Sequence, residues 1–160
     1  MNAVELLKSQ HREVESLFDA IEKAQKAAKP DLFEQIANKL AVHAAIEEHQ
    51  FYPTVKASQT EDMLKEAVEE HLAVKRLLAD LLAIDADDES FDAKIKVLKE
   101  TVAHHVEEEE EELFPAVQRA IDKERLEALG QEMSAEQAEL DEKGEPSTAV
   151  PAETDHAAPI

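Results

Sequence analysis

The chain has 160 residues, of which 43% are hydrophobic and 34% charged, and this make-up is typical of one globular domain with a moderate core. Its 17 basic and 38 acidic residues give a net charge of -21, which opposes binding to nucleic acid or to anionic membranes. The absence of cysteine excludes disulfides, thiolate nucleophiles and cysteine-ligated metals. Any metal site must therefore use histidine and carboxylate ligands.

Nothing in the sequence predicts export or membrane insertion. No apolar run approaches the roughly 20 residues of a membrane span. The N-terminus lacks both a basic region and a small-residue cleavage site, as a secretory signal would have. We therefore expect a cytoplasmic protein.

The abundance of Ala, Leu, Glu and Lys, with only two glycines, predicts an all-α protein. Asn2 followed by Glu5 indicates a capping box, after which an apolar stripe at intervals of three and four extends to about residue 28. Pro30 suits the first turn of a second helix, and Pro53 limits or bends its last turn.

Thr60 and Ser90 stand where they could cap a third and a fourth helix, and Pro115 lies near the end of the fourth. Each of these helices also carries an apolar stripe with helical spacing. Four helices joined by short turns predict an up-down-up-down antiparallel four-helix bundle over residues 1–122.

The remaining residues are expected to add little to this bundle. A weaker helical segment follows at residues 123–142, interrupted or softened at Gly130. Residues 143–160 are rich in Pro, Ala, Ser and Thr and have little to bury, so they are predicted to form a disordered tail.

The bundle contains an internal duplication. The second helix maps onto the fourth at an offset of 62 residues, and the first maps onto the third at an offset of 60. Because a helix turns by ~100° per residue, a histidine and a glutamate four residues apart share one face. Four histidines and two glutamates thus lie on the apolar stripes and are predicted to face one core: His11, His43, Glu47, His71, His105 and Glu109.

Two buried carboxylates need partners, because the protein interior does not replace their lost solvation. A metal centre offsets that cost. The carboxylates can bridge two ions, and two imidazoles per ion are borderline ligands that suit iron or manganese. Zinc and copper also fit the ligand types alone.

The order of these residues resembles the hemerythrin-like, or HHE cation-binding, domain family, which carries a His-x-x-x-Glu motif on the second and fourth helices. "FYP" at 51–53, "LFP" at 113–115 and "LEALGQEM" at 126–133 also resemble bacterial members. The resemblance covers roughly residues 1–140. It implies a four-helix bundle with two iron ions in an oxo- or hydroxo-bridged centre, with the four histidines as terminal ligands and Glu47 and Glu109 as bridges.

The chain departs from the oxygen-carrying members of that family at two positions. They have a second histidine on the third helix where this chain has Lys75, and some relatives have a carboxylate where it has Ala44. The resemblance therefore implies binding of, or reaction with, oxygen, hydrogen peroxide or nitric oxide rather than reversible oxygen transport. Catalase-like and nitric-oxide-reducing activities both occur in the family, and manganese or zinc can substitute for iron.

Two further functions stay open from the sequence. One is an iron or oxygen sensing or storage module without turnover, which signals through an unidentified protein partner. The other is a metal-free acidic helical interaction protein. Metal content separates the second of these from the other functions.

Other polar residues are predicted to have no role as ligands. His49 lies off the stripes and is expected at the surface, and His156 lies in the predicted tail. His104 faces about 100° away from His105 and is expected to face solvent or a helix interface. The rest of the glutamate run is expected to form a solvated acidic face, namely Glu107, Glu108, Glu110 and Glu111.

Three positions allow two interpretations each. Glu112 is expected at the rim, or else beside the ligands. Glu15 is expected to form a salt bridge with Lys75 between the first and third helices, or else to be a seventh ligand. Tyr52 is expected to stack in the core, and to be a direct tyrosinate ligand only if the helix is distorted before Pro53.

Overall fold

The computed structural model of the protein describes residues 1–160 and consists of helices and their connections. Two π-helical turns, at Glu47–Phe51 and Glu109–Leu113, and two 3-10 segments, at Lys26–Ala28 and Pro146–Glu153, accompany the α-helices. No helix is long and apolar enough to cross a membrane. The α-helices are α1 (Ala3–Lys23), α2 (Lys29–Ile46), α3 (Tyr52–Val55), α4 (Glu61–Leu82), α5 (Phe91–Glu108), α6 (Phe114–Ala120) and α7 (Lys123–Glu142).

The four long helices α1, α2, α4 and α5 form the bundle. Helix α1 packs against α2, and α4 packs against α5. Ion pairs of Glu13 with Lys39 and of Glu22 with Lys99 join α1 to α2 and to α5. Because the connections between the helices are short, neighbouring helices are antiparallel. The predicted all-α, up-down-up-down bundle is confirmed.

The predicted helix starts are only partly as expected. At α1 the capping box is present: the Glu5 amide donates to Asn2 Oδ1 at 2.9 Å, and the Asn2 amide donates to Glu5 Oε2 at 3.0 Å. Thr60 and Ser90 do not cap the helices that follow them. Their hydroxyls donate instead into the preceding connections. Short polar side chains often make such local bonds, which compete with capping.

The hydrophobic core has two parts, with the predicted ligand residues between them. One cluster contains Leu7, Ile46, Phe51 and Leu129 and includes the inner face of α7. The other contains Phe18, Ile36, Leu81, Phe91 and Leu98 and fills the opposite half of the bundle. The six histidines and glutamates thus form a buried polar layer between the two clusters.

A proline follows each π-helical turn after one intervening residue. Pro53 and Pro115 are the second residues of α3 and α6, the helices that follow the two turns. Proline lacks an amide hydrogen, and its ring clashes with the carbonyl four residues earlier, so the regular ladder of hydrogen bonds cannot continue through it. A π-helical turn accommodates one extra residue at such a break. The expected bend at Pro53 is therefore a change of helix type.

Helix α7 is continuous through Gly130, where the sequence predicted that the helix is interrupted or softened. The glycine lets α7 lie directly on the start of α1. A Cβ atom at Gly130 would be 2.4 Å from the Met1 carbonyl oxygen and 2.7 Å from the Asn2 carbonyl carbon. The lack of a side chain serves packing here, since no Cβ could fit at these distances.

The C-terminal segment differs from the expected disordered tail. Its 3-10 helix, Pro146–Glu153, packs against α2 and α4, and Val150 is only 3% exposed. The Ser147 amide donates to Asn38 Oδ1 at 3.0 Å, and Arg76 Nε donates to the Thr154 carbonyl at 3.0 Å. The segment docks through one buried valine and a few backbone contacts, and these leave no periodic pattern of apolar residues in the sequence. The composition of the segment therefore did not predict that it docks.

We expect Gly130→Ala to lower the free energy of unfolding by about 1–3 kcal/mol, the usual cost of overpacking. Helix propensity alone would raise the free energy of unfolding, since alanine is favoured over glycine by ~1 kcal/mol in a helix. The exposed Ala135→Gly variant in the same helix measures propensity alone. Urea unfolding of both variants checks this, and a stabilised Gly130→Ala chain would contradict the close contact.

Candidate metal centre

All six predicted ligand residues meet in the polar layer between the two hydrophobic clusters. One histidine comes from each long helix, and each glutamate is the first residue of a π-helical turn. None of the six is more than 7% exposed: His11, His43, Glu47, His71, His105 and Glu109. The structure thus brings together every residue that the duplication singled out, and their role as ligands stays a prediction.

The two carboxylates lie between the imidazoles. Glu47 Oε1 is 2.9 Å from His43 Nε2 and 3.2 Å from His71 Nε2. Glu109 Oε1 is 3.1 Å from His11 Nε2 and 3.4 Å from His105 Nε2. Each carboxylate therefore faces one histidine from each half of the duplication, which is the position that a bridging ligand requires.

The donor atoms divide into two groups, each of two histidines and one glutamate. The first group is His11, His43 and Glu109, and the second is Glu47, His71 and His105. Within each group the donor atoms lie within 4.8 Å of one another. Two histidines per group match the expected two imidazoles per ion.

Unpaired polar atoms at the centre fit a bound cation. His43 Nε2, His105 Nε2 and Glu47 Oε2 are buried and have no hydrogen-bond partner. His43 Nε2 is close to a carboxylate oxygen but lacks hydrogen-bonding geometry. Burying such atoms unpaired costs free energy, and metal coordination removes that cost. Nitrogen and carboxylate donors are also the types that suit iron, manganese and zinc.

Four further side chains orient the histidines from outside. Each imidazole Nδ1 donates to an oxygen atom, because an amide or carboxylate oxygen can only accept. The acceptors are Gln10 Oε1 for His43 at 2.7 Å, Glu48 Oε2 for His71 at 2.7 Å, Glu70 Oε1 for His105 at 2.8 Å and Glu110 Oε2 for His11 at 2.6 Å. With Nδ1 occupied, Nε2 is directed at the centre, as in metal sites whose histidines are held by outer acceptors.

The sequence analysis missed these acceptors, although the duplication contains their signal. Glu48 and Glu110 directly follow the two inward glutamates, and Gln10 and Glu70 directly precede His11 and His71. The assignment of Glu110 to a solvated face is wrong, since its side chain is only 22% exposed and contacts His11 and Arg12. The acceptors lie on neighbouring helices, so the stripe of any single helix could not identify them.

Tyr52 reaches the centre because the π-helical turn distorts the helix before Pro53. Its side chain is fully buried, and its hydroxyl donates to Glu109 Oε2 at 2.8 Å and lies 3.2 Å from His71 Nε2. Burial, and then the charges of Glu109 and Glu47, raise the pKa of the phenol well above its usual value. Tyr52 is therefore a neutral hydrogen-bond donor to the carboxylate, a role beyond the expected stacking.

Lys75 does not pair with Glu15, so the predicted salt bridge between the first and third helices is wrong. Lys75 Nζ is 2.9 Å from Glu48 Oε1 and 3.1 Å from Glu153 Oε1. Glu15 is exposed and its nearest basic group is Arg12, on its own helix. The lysine thus contacts the C-terminal segment and the π-helical turn that follows α2, and it makes no ion pair with α1.

The remaining polar residues lie at the surface, as expected. His49, His104 and His156 are exposed, and Glu112 is an exposed rim residue. His104 Nε2 lies 3.0 Å from Glu108 Oε1, outside the polar layer. None of these side chains contributes a donor atom to either of the two buried groups.

In the metal-free chain the buried carboxylates hold protons on the imidazoles. Burial lowers the pKa of His43, but the Glu47 charge and the contacts with Glu109 outweigh it and raise that pKa from 6.5 to about 9. Burial and the Glu109 charge raise the pKa of Glu47, but the His43 charge and the His105 contact lower it to about 2. Burial also lowers the pKa values of His71 and His105, but the contacts of His71 with Glu47 and Glu48, and the charge of Glu109 beside His105, outweigh it and raise both pKa values.

We expect metal affinity to rise with pH up to about 9, since below that pH a metal must displace a proton from His43. Each proton released gives a gain of about tenfold per pH unit. The raised pKa of His43 stabilises the metal-free chain fully below pH 6.5 and ceases to do so above about 9, so that chain should become less stable over the same range. Chelator competition and urea unfolding at several pH values measure both effects, and pH-independent results would contradict this proton competition.

We expect Glu110→Gln to weaken metal binding by about 10- to 100-fold, the usual effect of losing an outer acceptor of a ligating histidine. Glutamine keeps the shape of the side chain but removes the charge that Nδ1 of His11 contacts. Glu111→Gln is a matched control, because Glu111 is the exposed next residue. Metal titration measures both variants, and equal affinities would show that the Glu110 contact does not support the site.

Comparisons with known proteins agree with this geometry. Residues 2–117 match the family model described as the hemerythrin HHE cation binding domain. The crystal structure of an HHE cation-binding domain-containing protein from Mycobacterium kansasii aligns with a TM-score of 0.81 and 27% identity, over 89% of each chain. A protein from Nostoc sp. named DNA nickase is 28% identical over 144 residues, which are 89% of this chain but only 41% of that relative's length. The chain belongs to the hemerythrin HHE cation-binding domain family.

Proposed function

We propose that the chain is a non-haem di-iron protein that binds or reacts with small oxidants, namely oxygen, hydrogen peroxide or nitric oxide. The observation that supports this most is the pair of buried donor groups, each with two histidines, on either side of two carboxylates. When bound, such a pair of irons supplies ferrous–ferric redox changes and open coordination positions. Manganese or zinc would fit the same donors.

The side chains around the centre have defined tasks in this proposal. Glu47 and Glu109 hold negative charge between the histidine pairs, and the outer acceptors keep each Nε2 directed inward. The Tyr52 hydroxyl holds Glu109 Oε2 in place and is a neutral proton donor at the edge of the site. The six side chains are buried between the two hydrophobic clusters, and this burial strengthens their electrostatic interactions.

A second candidate is a sensing or storage module without turnover. The contact that favours it joins the centre to the C-terminal segment: Glu153 pairs with Lys75, Lys75 with Glu48, and Glu48 with the His71 ring. A change of ligation at His71 could therefore alter how the segment is held, and a protein partner could detect that change.

We do not extend the nicking activity named for the Nostoc relative to this chain. The chain corresponds to less than half of that relative. Its net charge of -21 opposes close contact with DNA phosphates. We infer that its ligands are small molecules, without a nucleic-acid or membrane partner, and that it acts in the cytoplasm.

We expect the purified chain to bind about two irons, as the two donor groups require. Glu109→Gln should lose most of this metal, because it removes charge from a fully buried carboxylate, whereas the exposed Glu107→Gln should keep it. Elemental analysis with optical spectra measures both. Equal metal content in the two variants, or a metal-free parent chain, would contradict the proposal and favour an acidic interaction protein.

Kinetics separate the two metal-dependent functions. After anaerobic loading with ferrous iron, the chain is mixed with peroxide, nitric oxide or oxygen, and consumption is followed. Repeated turnover of peroxide or nitric oxide is the result expected of an enzyme. A single stoichiometric oxidation would reject the enzyme function and support sensing or storage.

A further inference from the structure

A cavity of about 410 Å³ lies beside the centre, inside the bundle. The four histidines are at its inner end, and apolar side chains such as Val14, Leu40, Leu78 and Val102 form its walls. A water molecule occupies only ~30 Å³, and pockets of about 300–1,000 Å³ hold organic ligands. The cavity is therefore much larger than a diatomic gas or peroxide needs.

The C-terminal segment forms the outer wall of this cavity. Gly144, Pro146 and Thr148 line it, and the buried Val150 packs among the apolar side chains of the bundle. The same segment contributes Glu153, whose carboxylate lies at the cavity wall beside Lys75. The chain thus closes an apolar space with a short segment that ends in a charged contact.

Lys75 is the cationic group of the wall that is best placed to hold a ligand. It is only 7% exposed, whereas Lys143, at the end of α7, is exposed. Its two carboxylate partners differ: Glu48 is fixed by the His71 ring and is 8% exposed, but the Glu153 side chain is 48% exposed. Burial lowers the pKa of Lys75, but the hydrogen bonds to Glu48 and Glu153 outweigh it and raise that pKa, so the lysine stays charged. Glu153 is the partner that an incoming anion can replace.

We propose that the cavity binds an aliphatic monocarboxylate, with its carboxylate on Lys75 Nζ in place of Glu153 and its chain along Val14, Leu40 and Leu78. Exchanging one carboxylate for another leaves the charge around the lysine unchanged, while the aliphatic chain gains apolar contact. This inference deepens the proposed function, because the same cavity leads to the histidines of the centre and would place an organic ligand beside them.

The test compares octanoate with 1-octanol, which have the same chain length but different head groups. Isothermal titration calorimetry is done on the full chain with its metal bound. We expect octanoate to bind at least about tenfold more tightly, because it gains a charge-assisted hydrogen bond to the buried Lys75, while the half-exposed Glu153 carboxylate that it replaces returns to water. Equal affinities, or no binding of octanoate to the metal-loaded chain, would overturn the proposal.

Two substitutions locate the head group. Lys75→Met should bring the affinities for octanoate and octanol within about twofold, because it removes the cation, and the exposed Lys96→Met is its control. Glu153→Gln should tighten octanoate binding severalfold and leave octanol unchanged, because it removes the competing carboxylate. A preference for octanoate that persists in Lys75→Met would place the carboxylate elsewhere, such as on the metal, and would overturn the proposal.

A third substitution tests the position of the chain. Val74 lies on the cavity wall and is partly exposed, so Val74→Phe should fill space and weaken both ligands by a similar factor. Unchanged affinities would show that the ligands bind outside the cavity.

Metal content is measured in every sample. A metal-free chain that still binds octanoate through Lys75 would refute the di-iron function but support this site. A metal-loaded chain that does not prefer octanoate to octanol would refute this site and leave the di-iron function standing.

Discussion

The burial of two carboxylates in the middle of a hydrophobic bundle is the constraint on which the rest of the structure depends. Glu47 and Glu109 lie between two apolar clusters, where an unpaired charge would cost several kcal/mol or more. Every long helix supplies a histidine against them, and the outer ring of oxygen acceptors fixes those histidines in turn. The bundle therefore surrounds the two carboxylates with histidines, and the histidines with oxygen acceptors. Without these partners the charge of the carboxylates could not be buried.

The duplication makes this organisation nearly two-fold symmetric, and the departures from symmetry distinguish the two halves. The repeat mate of Tyr52 is Phe114, which stacks on His11 with ring centroids 5.9 Å apart and has no hydroxyl to donate. The acceptor for His43 is a neutral amide, whereas the other three histidines contact carboxylates. The two ion positions thus have different electrostatic surroundings although their ligand types match.

The fold and the inward residues could be predicted from the sequence because both follow from periodicity. A stripe with helical spacing places His43 and Glu47 on one face, and the repeat at His105 and Glu109 makes chance improbable. The outer acceptors could not be found in this way, because which oxygen meets Nδ1 depends on how two helices are rotated against each other. The docked C-terminal segment lacked any periodic pattern, since Val150 is its main apolar anchor.

The π-helical turns also change how positions along these helices must be counted. In a regular helix a residue five places after Glu47 would lie about 140° away from it around the axis. The extra residue in the turn brings Tyr52 back toward the centre, so a glutamate and a tyrosine at a spacing of five act on one site. A helical wheel drawn straight through the turn would therefore miss the contact of Tyr52 with the centre.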